Sequence, residues 1–465
     1  MFKKLTIIFS LYTCACSSQA QVWTKMLDSV PGFFFVRTTL KDTVNNVLYL
    51  GGEITAVNNR CYQGIIKYNN SSFDTLQNGV GSICENSATV INSLQFFQNK
   101  LYAFGNFTKT GKYNCKYIGR WNGSSWDSVN FKPNQPIWSS DVYNNELYVS
   151  GWFDTIGGIR SVNIAKFDGI NWHDLSFPVS GATGAIKNYN SRLYAASYTG
   201  LWVYDNNSWS NLADCKGDMF RHIYGMNVID GLLYIYGRFN SLGGVTSKGI
   251  VAFDGVKWYG FGQGMSYSGY EIINNVQKID GKIYITGNFD KIEGIGTSNF
   301  TTTPSQSTNY AVLENNQWCL KSAAFDNASF GVVKYNGDLF IYGAFRRCGA
   351  DTIFGFAKWS GGNSTVACSN TFTISQTYVG INEHIVFSDL KIYPNPVNDK
   401  LVITSNNFEL QNFELQISNA LGQTIYNLAN LNNLNEIDLS HLSKGIYFVK
   451  IQNAQQQKTF KILKN

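Results

Sequence analysis

Residues 147–175 read LYVSGWFDTIGGIRSVNIAKFDGINWHDL, and a weaker copy, LYIYGRFNSLGGVTSKGIVAFDGVKWYGF, occupies residues 233–261. The opening of this phrase, a Leu or Ile followed by an aromatic residue, recurs seven times at intervals of 40 to 56 residues. Six copies carry a Gly three residues after the aromatic residue. The seven aromatic residues are Tyr49, Tyr102, Tyr148, Tyr194, Tyr234, Tyr284 and Phe340. Such a period indicates repeated supersecondary units, none of which can bury its apolar face alone.

Each copy contains four short strand patterns, and two of its connections carry turn signals. The first connection contains Asn144-Asn145, Asp230-Gly231, Asp280-Gly281 or Asn336-Gly337, and the third contains Asn122-Gly123, Asp168-Gly169 or Asp254-Gly255. These dipeptides tolerate positive φ at both central positions of a type I′ hairpin turn, so we expect that turn at both connections. The fourth strand pattern carries a Trp in five copies, at Trp126, Trp172, Trp209, Trp258 and Trp318.

Two hairpins per copy make a four-stranded meander, and that period with four strands is typical of a β-propeller blade. Stacked immunoglobulin-like domains would need about 100 residues each. The sequence therefore predicts an all-β protein, with a seven-bladed β-propeller over residues 21–370. We expect the repeated Tyr and Trp side chains to fill the layers between neighbouring blades.

The last copy lacks a Trp in its own fourth strand pattern, whereas QVWTKMLDSV near the start of the chain resembles such a strand. We expect residues 22–27 to complete the seventh blade, so that both ends of the repeat region share one sheet.

The start of the chain, MFKKLTIIFSLYTCACSSQAQVW, has the features of a secretory signal peptide at residues 1–20, cleaved between Ala20 and Gln21. No later stretch is apolar enough to span a membrane. The formal charge of +6 falls to +4 once Lys3 and Lys4 are removed, and no dense basic cluster occurs, so nucleic acid is not an expected partner. The seven cysteines left after cleavage contain no C-x-x-C pair and the whole chain has four histidines, so no metal site is expected.

The tail differs from the repeats. After a polar linker at residues 371–388, a unit of residues 389–465 contains LKIYPNPVNDKLVITS and ends with GIYFVKIQNAQQQKTFKILKN. The alternation of apolar and polar residues in KLVITS and IYFVKIQ predicts a small antiparallel β-sandwich. The unit resembles the type A C-terminal sorting domain of the type IX secretion system of Bacteroidota, and the resemblance includes Tyr393, Pro394, Asn395, Pro396, Gly422, Gly445, Tyr447 and Lys461. It implies handling by the type IX machinery and a cell-surface or extracellular location.

The repeats loosely resemble kelch and galactose-oxidase propellers, and more closely secreted bacterial propellers with a GxF…GG…W repeat. Galactose oxidase is a copper enzyme with paired His and Tyr ligands, whereas the repeat region here has only His173 and His222. We therefore expect no copper site and no cofactor. No nucleophile elbow, phosphate loop or H-E-x-x-H motif occurs, and the sequence offers no catalytic residue.

The longer connections, from second to third strand and from one blade to the next, must share one face of a meander. Function tends to reside in such loops. The candidate ligand-binding residues there are Trp152, Arg238, Tyr259, Phe261, Tyr267, Tyr270, Arg346 and Arg347. Aromatic and Arg side chains suit a glycan or a surface protein as ligand. The alternatives are a polysaccharide-degrading enzyme, a glycosidase or lyase, that uses loop carboxylates, and a scaffold for other surface proteins.

Overall fold

The computed structural model describes residues 23–465 except 28–31, 58–59, 62–63, 78, 81–88, 128–130, 182, 220, 267–271, 290, 293–294, 297–308, 322–324, 349–350, 362–364, 373, 379–389, 406–409, 411–412, 433 and 453–456. The expected signal peptide and the Ala20–Gln21 cleavage site lie outside the described residues. All regular elements of the described residues are β-strands. The chain is divided into two compact units. The first comprises residues up to 242, 246–251 and 260–374, and the second comprises 243–245, 252–259 and 375–465.

The described residues between 23 and 378 form seven antiparallel sheets of four or five strands, apart from smaller sheets. The first sheet contains Phe34–Asp42, Val47–Ile54, Ile65–Tyr68 and Phe73–Thr75. The second contains Val90–Phe97, Lys100–Asn106, Ile118–Trp121 and Trp126–Asp127. The third contains Ile137–Tyr143, Glu146–Gly151, Ile164–Phe167 and Trp172–Asp174. The fourth contains Thr183–Tyr189, Arg192–Ser197, Gly200–Asp205 and Ser208–Asp214.

The last three sheets follow the same order, and the fifth and sixth have an additional strand at their outer edges. The fifth contains His222–Ile229, Leu232–Arg238, Ile250–Phe253, Lys257–Gly260 and, outermost, Ser375–Tyr378. The sixth contains Ile272–Ile279, Lys282–Asn288, Tyr310–Glu314, Gln317–Lys321 and, outermost, Thr365–Cys368. The seventh contains Ser329–Tyr335, Asp338–Gly343, Phe356–Trp359 and, outermost, Trp23–Lys25.

The strand Trp23–Lys25 confirms the expected closure of the seventh sheet, because Trp23 pairs with Trp359 and Lys25 pairs with Ala357. The indole of Trp23 is 3% exposed and contacts the rings of Tyr310, Phe325 and Trp359. The start of the described chain is therefore tied to its last repeat.

Neighbouring sheets pack through aromatic side chains, as expected. The indole nitrogen of Trp126 donates to the carbonyl of Leu76 at 2.9 Å, and that of Trp209 donates to Leu175 at 2.8 Å, in each case from one sheet to the preceding one. The first strand of each sheet contacts that of the next sheet, and the first strand of the seventh contacts that of the first. The phenol of Tyr335 also donates to the carbonyl of Asn46 at 2.7 Å.

The two tight connections of a sheet were expected to be alike. Between first and second strands, positive φ occurs at both central residues in six of the seven sheets, as in Asn144 (48°) and Asn145 (57°), as expected for type I′ turns. Between third and fourth strands the same holds for Asn206-Asn207 and Asn315-Asn316. The expectation was wrong for the Asn-Gly and Asp-Gly pairs there, because Gly169 (106°) has positive φ and Asp168 does not. The Asp168 carboxylate instead accepts the amides of Ile170 and Asn171, both at 2.7 Å. These bonds, with one to His173, lower the pKa of Asp168 to about 2.

The longer second-to-third connections fold into small hairpins. Described pairs are Ala56–Val57 with Arg60–Cys61, Thr155–Ile156 with Ile159–Arg160, Ser241–Leu242 with Val245–Thr246, Lys291–Ile292 with Ile295–Gly296, and Arg347–Cys348 with Asp351–Thr352. The glycines of the repeated Gly-Gly pair allow a close approach to the fourth-strand Trp. A Cβ on Gly157, which has a φ of 60°, would lie 2.3 Å from the ring of Trp172.

After the seventh sheet the chain adds an outer strand to the sixth sheet and then one to the fifth. Thr365–Cys368 pairs with Gln317–Lys321, and a disulfide joins Cys319 to Cys368. Ser375–Tyr378 lies within the stretch expected to be a linker, and residues 379–388 of that stretch lie outside the described residues. Cys115, Cys215 and Cys348 are free thiols. An added edge strand covers backbone groups that would otherwise be open to pairing with another chain.

The second unit contains two further sheets. One consists of Lys391–Tyr393, Lys400–Thr404 and Leu434–Asp438, and the other of Thr424–Leu428, Glu414–Asn419, Gly445–Gln452 and Gln457–Lys464 in that spatial order. Both sheets contribute to one apolar core, which includes Leu401 and Ile437 from the first and Leu415, Val449 and Ile462 from the second.

Replacing Trp23 with Ala is expected to destabilise the first unit by about 3–5 kcal/mol, because it empties a buried site between three aromatic rings. Thermal unfolding of the full chain measures the effect as a lower melting temperature. Trp152→Ala, a change of the same size at an exposed indole, is the control. Equal melting temperatures for the two variants would contradict a structural role for the strand Trp23–Lys25.

Candidate functional site

The first strand of every one of the seven sheets contains a β-bulge at the same place. In the third sheet Ile137 pairs with Gly151 and Ser139 pairs with Ser150, so that Trp138 has no residue paired with it in the second strand. The same shift recurs in each of the other sheets. The seven extra residues, here called the bulge ring, are Arg37, Asn92, Trp138, Gly184, Tyr224, Asn274 and Phe330. Bulges commonly redirect a side chain beside a functional site.

The repeated Gly of the second strand makes room for the bulge in six of the seven sheets. It lies opposite the residue before the bulge, and a Cβ there would meet a carbonyl oxygen in the first strand or just before it. A Cβ on Gly151 would lie 2.3 Å from the carbonyl oxygen of Pro136, and one on Gly287 would lie 2.0 Å from that of Ile272. Ser197 takes the place of the Gly in the fourth sheet. The recurring Gly is therefore a consequence of close backbone approach.

The same Gly also anchors the third strand. The amide of Gly151 donates to the carbonyl of Asn163 at 2.9 Å, and the amide of Asn163 donates back to the carbonyl of Phe153 at 2.8 Å. Asn163 has a φ of 64°, a conformation that Asn tolerates better than most residues. Equivalent pairs of bonds form around Gly52, Gly105, Gly237, Gly287 and Gly343. This geometry explains the Gly-x-Phe spacing of the repeat.

All seven members of the bulge ring line one cavity of about 600 Å³, together with residues from the starts of first strands and the ends of second strands. An adjoining cavity of about 770 Å³ shares these seven residues and continues along the first strands. The starts of first strands and the ends of second strands lie on the face that carries the longer connections. The bulge ring therefore surrounds a cavity that opens toward this face.

One side of the bulge ring is aromatic. The ring of Trp138 lies edge-on to that of His222 at 6.5 Å between centroids, and His222 lies edge-on to Tyr224 at 5.1 Å. Trp138 belongs to the third sheet and His222 to the fifth. They meet because the fourth sheet contributes Gly184, where a Cβ would lie 2.3 Å from the Nε2 atom of His222. Tyr224 remains 44% exposed.

The opposite side combines an aromatic ring with a paired charge. The guanidinium of Arg37 lies 5.3 Å from the ring centroid of Phe330, and its Nε donates to Glu53 at 2.9 Å. The Arg37 charge is thus balanced while its planar face covers an aromatic ring.

Two amides lie between these sides. The Nδ2 atom of Asn92 donates to the carbonyl of Ile137 at 3.2 Å, and that of Asn274 donates to the carbonyl of Ser329 at 3.1 Å. Each bond reaches the following sheet just before its own bulge, which orients the side chain. A carboxamide held by its nitrogen presents an oxygen that accepts hydrogen bonds.

Burial shifts the titration of groups around the cavity. It lowers the pKa of His222 below its ordinary value, so the imidazole is neutral at pH 7. It raises the pKa of Tyr224 despite an opposing contribution from Arg238, and it raises that of Tyr342 to about 12. The aromatic side of the cavity is therefore uncharged at neutral pH.

Lys–Asp ion pairs connect neighbouring sheets farther along the cavity. Lys187 donates to Asp141 at 2.8 Å. Lys278 pairs with Asp230 and Lys334 pairs with Asp280. Partly exposed pairs of this kind contribute little to stability, but they align adjacent first strands.

The loop residues singled out in the sequence have different environments. Trp152 is 58% exposed and follows Gly151 directly, beside the cavity mouth. Arg238 has the equivalent position in the fifth sheet, but it is buried and paired with Asp218. Phe261 is buried against Tyr234. Tyr259 donates to Asp254 at 2.5 Å.

The remaining loop candidates are separate from the bulge ring. The guanidinium of Arg346 lies 5.8 Å from the ring centroid of Phe33 and 5.6 Å from that of Phe35. Arg347 begins the small hairpin of the seventh sheet. Tyr267 and Tyr270 lie outside the described residues.

Sequence reasoning missed the bulge ring, although a signal was present. Every member of the ring lies six residues before the first residue of the turn that ends its strand, as Trp138 precedes Asn144 and Tyr224 precedes Asp230. Counting back from the turns locates the ring. The identities of its members give no repeating pattern.

The residues of the C-terminal resemblance have different environments in the second unit. The Nδ2 atom of Asn395 donates to the carbonyl of Lys461 at 3.0 Å, and the amide of Leu463 donates to the Oδ1 atom of Asn395 at 2.9 Å. The peptide bonds before Pro394 and Pro396 are cis. Tyr447 is buried, and its phenol donates to the carbonyl of Ser443 at 2.8 Å. Tyr393 is exposed, and Gly422 and Gly445 have φ of 80° and 158°.

The described residues lack two features. They contain no cluster of three or more His, Cys, Asp or Glu side chains placed to hold a metal ion. No helix of the length and apolar character needed to cross a membrane occurs in this part of the chain.

Residues 391–465 match the family of secretion system C-terminal sorting domains. The chain thus carries a type IX sorting domain, which implies export to the cell surface or the extracellular space. No curated protein matches the sequence.

Several solved structures resemble the fold at low identity. PorZ, an essential bacterial surface component of the type-IX secretion system of human oral-microbiomic Porphyromonas gingivalis, is 12% identical over 90% of this chain and 68% of its own, with a TM-score of 0.32. The WD40 β-propeller domain of Doa1 is 13% identical over 71% of this chain and 80% of its own, with a TM-score of 0.31. The Dos1 propeller is 10% identical over 72% of this chain and 95% of its own, with a TM-score of 0.38. At these values the likenesses have no bearing on function.

Replacing Gly151 with Ala is expected to cost about 1–3 kcal/mol, because the added Cβ meets a backbone oxygen that cannot move without shifting the first strand. Urea unfolding of the full chain measures the loss. Ser150→Ala, at the neighbouring buried position whose hydroxyl has no hydrogen-bond partner, adds no atom and should cost less. A Gly151→Ala variant as stable as the parent would show that the bulge does not need the close approach.

The depressed pKa of His222 predicts a pH-dependent stability. The unfolded chain, with a His pKa of about 6.5, binds more protons than the folded chain between the two pKa values, so stability is complete above about pH 6.5 and falls as the pH drops through the folded pKa. Melting temperatures from pH 8 to pH 5 should therefore decline less for His222→Gln than for the parent. Parallel curves would rule out a buried, neutral His222.

Proposed function

We propose that this protein is an exported glycan-binding protein that holds its ligand at the mouth of the cavity inside the bulge ring. The observation that carries the proposal is the composition of the ring. It combines aromatic faces at Trp138, Tyr224 and Phe330 with carboxamides at Asn92 and Asn274. Aromatic faces stack on the apolar faces of sugar rings, and amides bond to their hydroxyl groups.

The scaffold proposed for this site is a closed seven-bladed β-propeller, with each sheet as one blade. The bulges support it, because seven equivalent residues converge on one cavity. The second unit is proposed to be a small β-sandwich built on the core that its two sheets share. Rigid strands of this kind hold a binding site more accurately than loops do.

The route of export completes the proposal. A signal peptide at residues 1–20 would lead the chain to the periplasm, and the type IX machinery of a bacterium of the Bacteroidota would then recognise the sorting domain. The propeller would act at the cell surface or outside it. Such a location suits a protein whose ligand is a polysaccharide or another surface molecule.

A surface protein is the second class of ligand. The loop residues Trp152, Tyr259, Arg346 and Arg347 remain candidates for contact with either class. The bulge ring favours a glycan, because its rings and amides surround a cavity rather than a flat surface.

The charges of the cavity favour binding over catalysis. Of the described residues that line the two cavities, Asp230 is the one carboxylate, and it is paired with Lys278. A glycosidase uses two carboxylates on either side of the scissile bond.

The proposal is tested by incubating the full chain with a panel of neutral and acidic polysaccharides and with matrix proteins. Trp138→Ala and Tyr224→Ala should each weaken retention by about tenfold or more, the usual effect of removing an anchoring ring. Ile170→Ala is the control, since this exposed side chain lies in a tight turn on the other face.

Equal retention of both ring variants and the parent would refute the cavity as the site. Retention on a matrix protein alone would replace the glycan with a protein ligand. Newly formed reducing ends or unsaturated products in the same tubes would instead establish an enzyme.

A further inference from the structure

The fourth sheet departs from the repeat twice, and both departures fall on the cavity face. Its second and third strands are joined by two residues, between Ser197 and Gly200, where the third sheet uses residues 152–163. Its member of the bulge ring is Gly184, which has no side chain. The fourth sheet therefore carries neither a small hairpin nor a projecting ring residue on this face.

Exposed aromatic side chains gather around this gap. Trp152 lies at the adjoining end of the third sheet, and its amide donates to the carbonyl of Pro136, two residues before Trp138, at 3.1 Å. Tyr198, 46% exposed, follows Ser197 in the fourth sheet at the position that corresponds to Trp152. A Cβ on Gly181 would lie 3.0 Å from its ring, so Tyr198 lies over the entry to the fourth sheet.

The aromatic residues around the gap form two pairs. Trp152 and Tyr198 lie on the outside, and Trp138 and Tyr224 lie inside the bulge ring on either side of Gly184. We name the four together the aromatic track. Single exposed apolar residues are common, whereas a group of them on one face indicates a binding surface. Three of the four are strongly exposed, and they belong to the three consecutive sheets on which the gap is centred.

Charge along the track is low. Arg238, the fifth-sheet equivalent of Trp152, is buried and paired with Asp218, and burial keeps His222 neutral. Polar groups without net charge, among them Ser139 and Ser140, line the adjoining cavity wall. This surface suits an uncharged ligand with alternating apolar faces and hydroxyl edges.

We propose that a linear, neutral oligosaccharide chain lies along the aromatic track, crosses the fourth sheet and enters the cavity. This inference rests on the proposed function and extends it, because it defines where the rest of the chain runs. Sugar units outside the cavity stack on Trp152 and Tyr198, and the unit inside contacts Trp138 and Tyr224. Binding affinity therefore increases with the length of the oligosaccharide until both pairs of aromatic side chains are occupied.

The test uses the full chain and the cello-, xylo-, manno- and malto-oligosaccharides of two to eight sugar units, with affinity measured by calorimetry. The parent should bind one series, with affinity at least tenfold higher for the octamer than for the dimer. Trp152→Ala and Tyr198→Ala should each remove most of this gain and leave the dimer affinity unchanged. Trp138→Ala should weaken the dimer and the octamer alike.

Phe33→Ala is the matched control, an exposed aromatic side chain of the first sheet, remote from the gap, and it should bind as the parent does. All these residues are exposed or half-buried, so unchanged melting temperatures should accompany the losses.

The outcomes separate the two proposals. If Trp152→Ala and Tyr198→Ala bind every length as the parent does while Trp138→Ala loses binding, the track is refuted and the cavity site stands. If Trp138→Ala also binds normally, both are refuted. If no neutral oligosaccharide of any length binds, the ligand of the track is not a neutral glycan.

Discussion

The structure of six of the seven repeats depends on one close approach, between the Gly of the second strand and a carbonyl at the start of the first. At Gly151 there is no room for a Cβ, since it would lie 2.3 Å from the oxygen of Pro136. The approach allows the first strand to bulge, and the bulge directs one residue into the cavity. The amide of the same Gly fixes the left-handed residue that starts the third strand. Bulge, loop length and third-strand position thus share one cause, which explains why Gly recurs while the residues around it vary.

Most of the sheet structure could be predicted from the sequence, because its determinants are local. Asn and Gly pairs indicated the first-to-second turns, and the periodic Trp residues indicated the packing between sheets. Closure of the seventh sheet by Trp23–Lys25 could also be predicted, since one repeat lacked its last strand and the start of the chain supplied one. The third-to-fourth turns that contain Asn-Gly or Asp-Gly were assigned wrongly, because a side chain such as that of Asp168 replaces a backbone conformation that the dipeptide alone suggested.

The candidate site could not be predicted in the same way. Exposure is a property of the assembled sheets. Phe261 and Trp152 are therefore equally plausible binding residues in the sequence, although Phe261 is buried and Trp152 is exposed. The bulge ring is marked by distance from a turn and not by residue type. A search for similar residues at equivalent positions necessarily overlooks it, because the seven positions carry six different residue types.

This separation between constant and varied positions has a physical basis. The residue before each bulge is buried, so its identity is limited by packing, as with Ile137 before Trp138 and Ile223 before Tyr224. The bulge residue itself faces the cavity, where changing it costs the scaffold little. A sequence can therefore alter the contents of the cavity without altering the sheets. The fourth repeat alters both at once, since the loss of its hairpin and the Gly at position 184 open the same sector. A departure from the repeat is expected where function opposes regularity, and the exposed rings of Trp152, Tyr198 and Tyr224 are grouped at that departure.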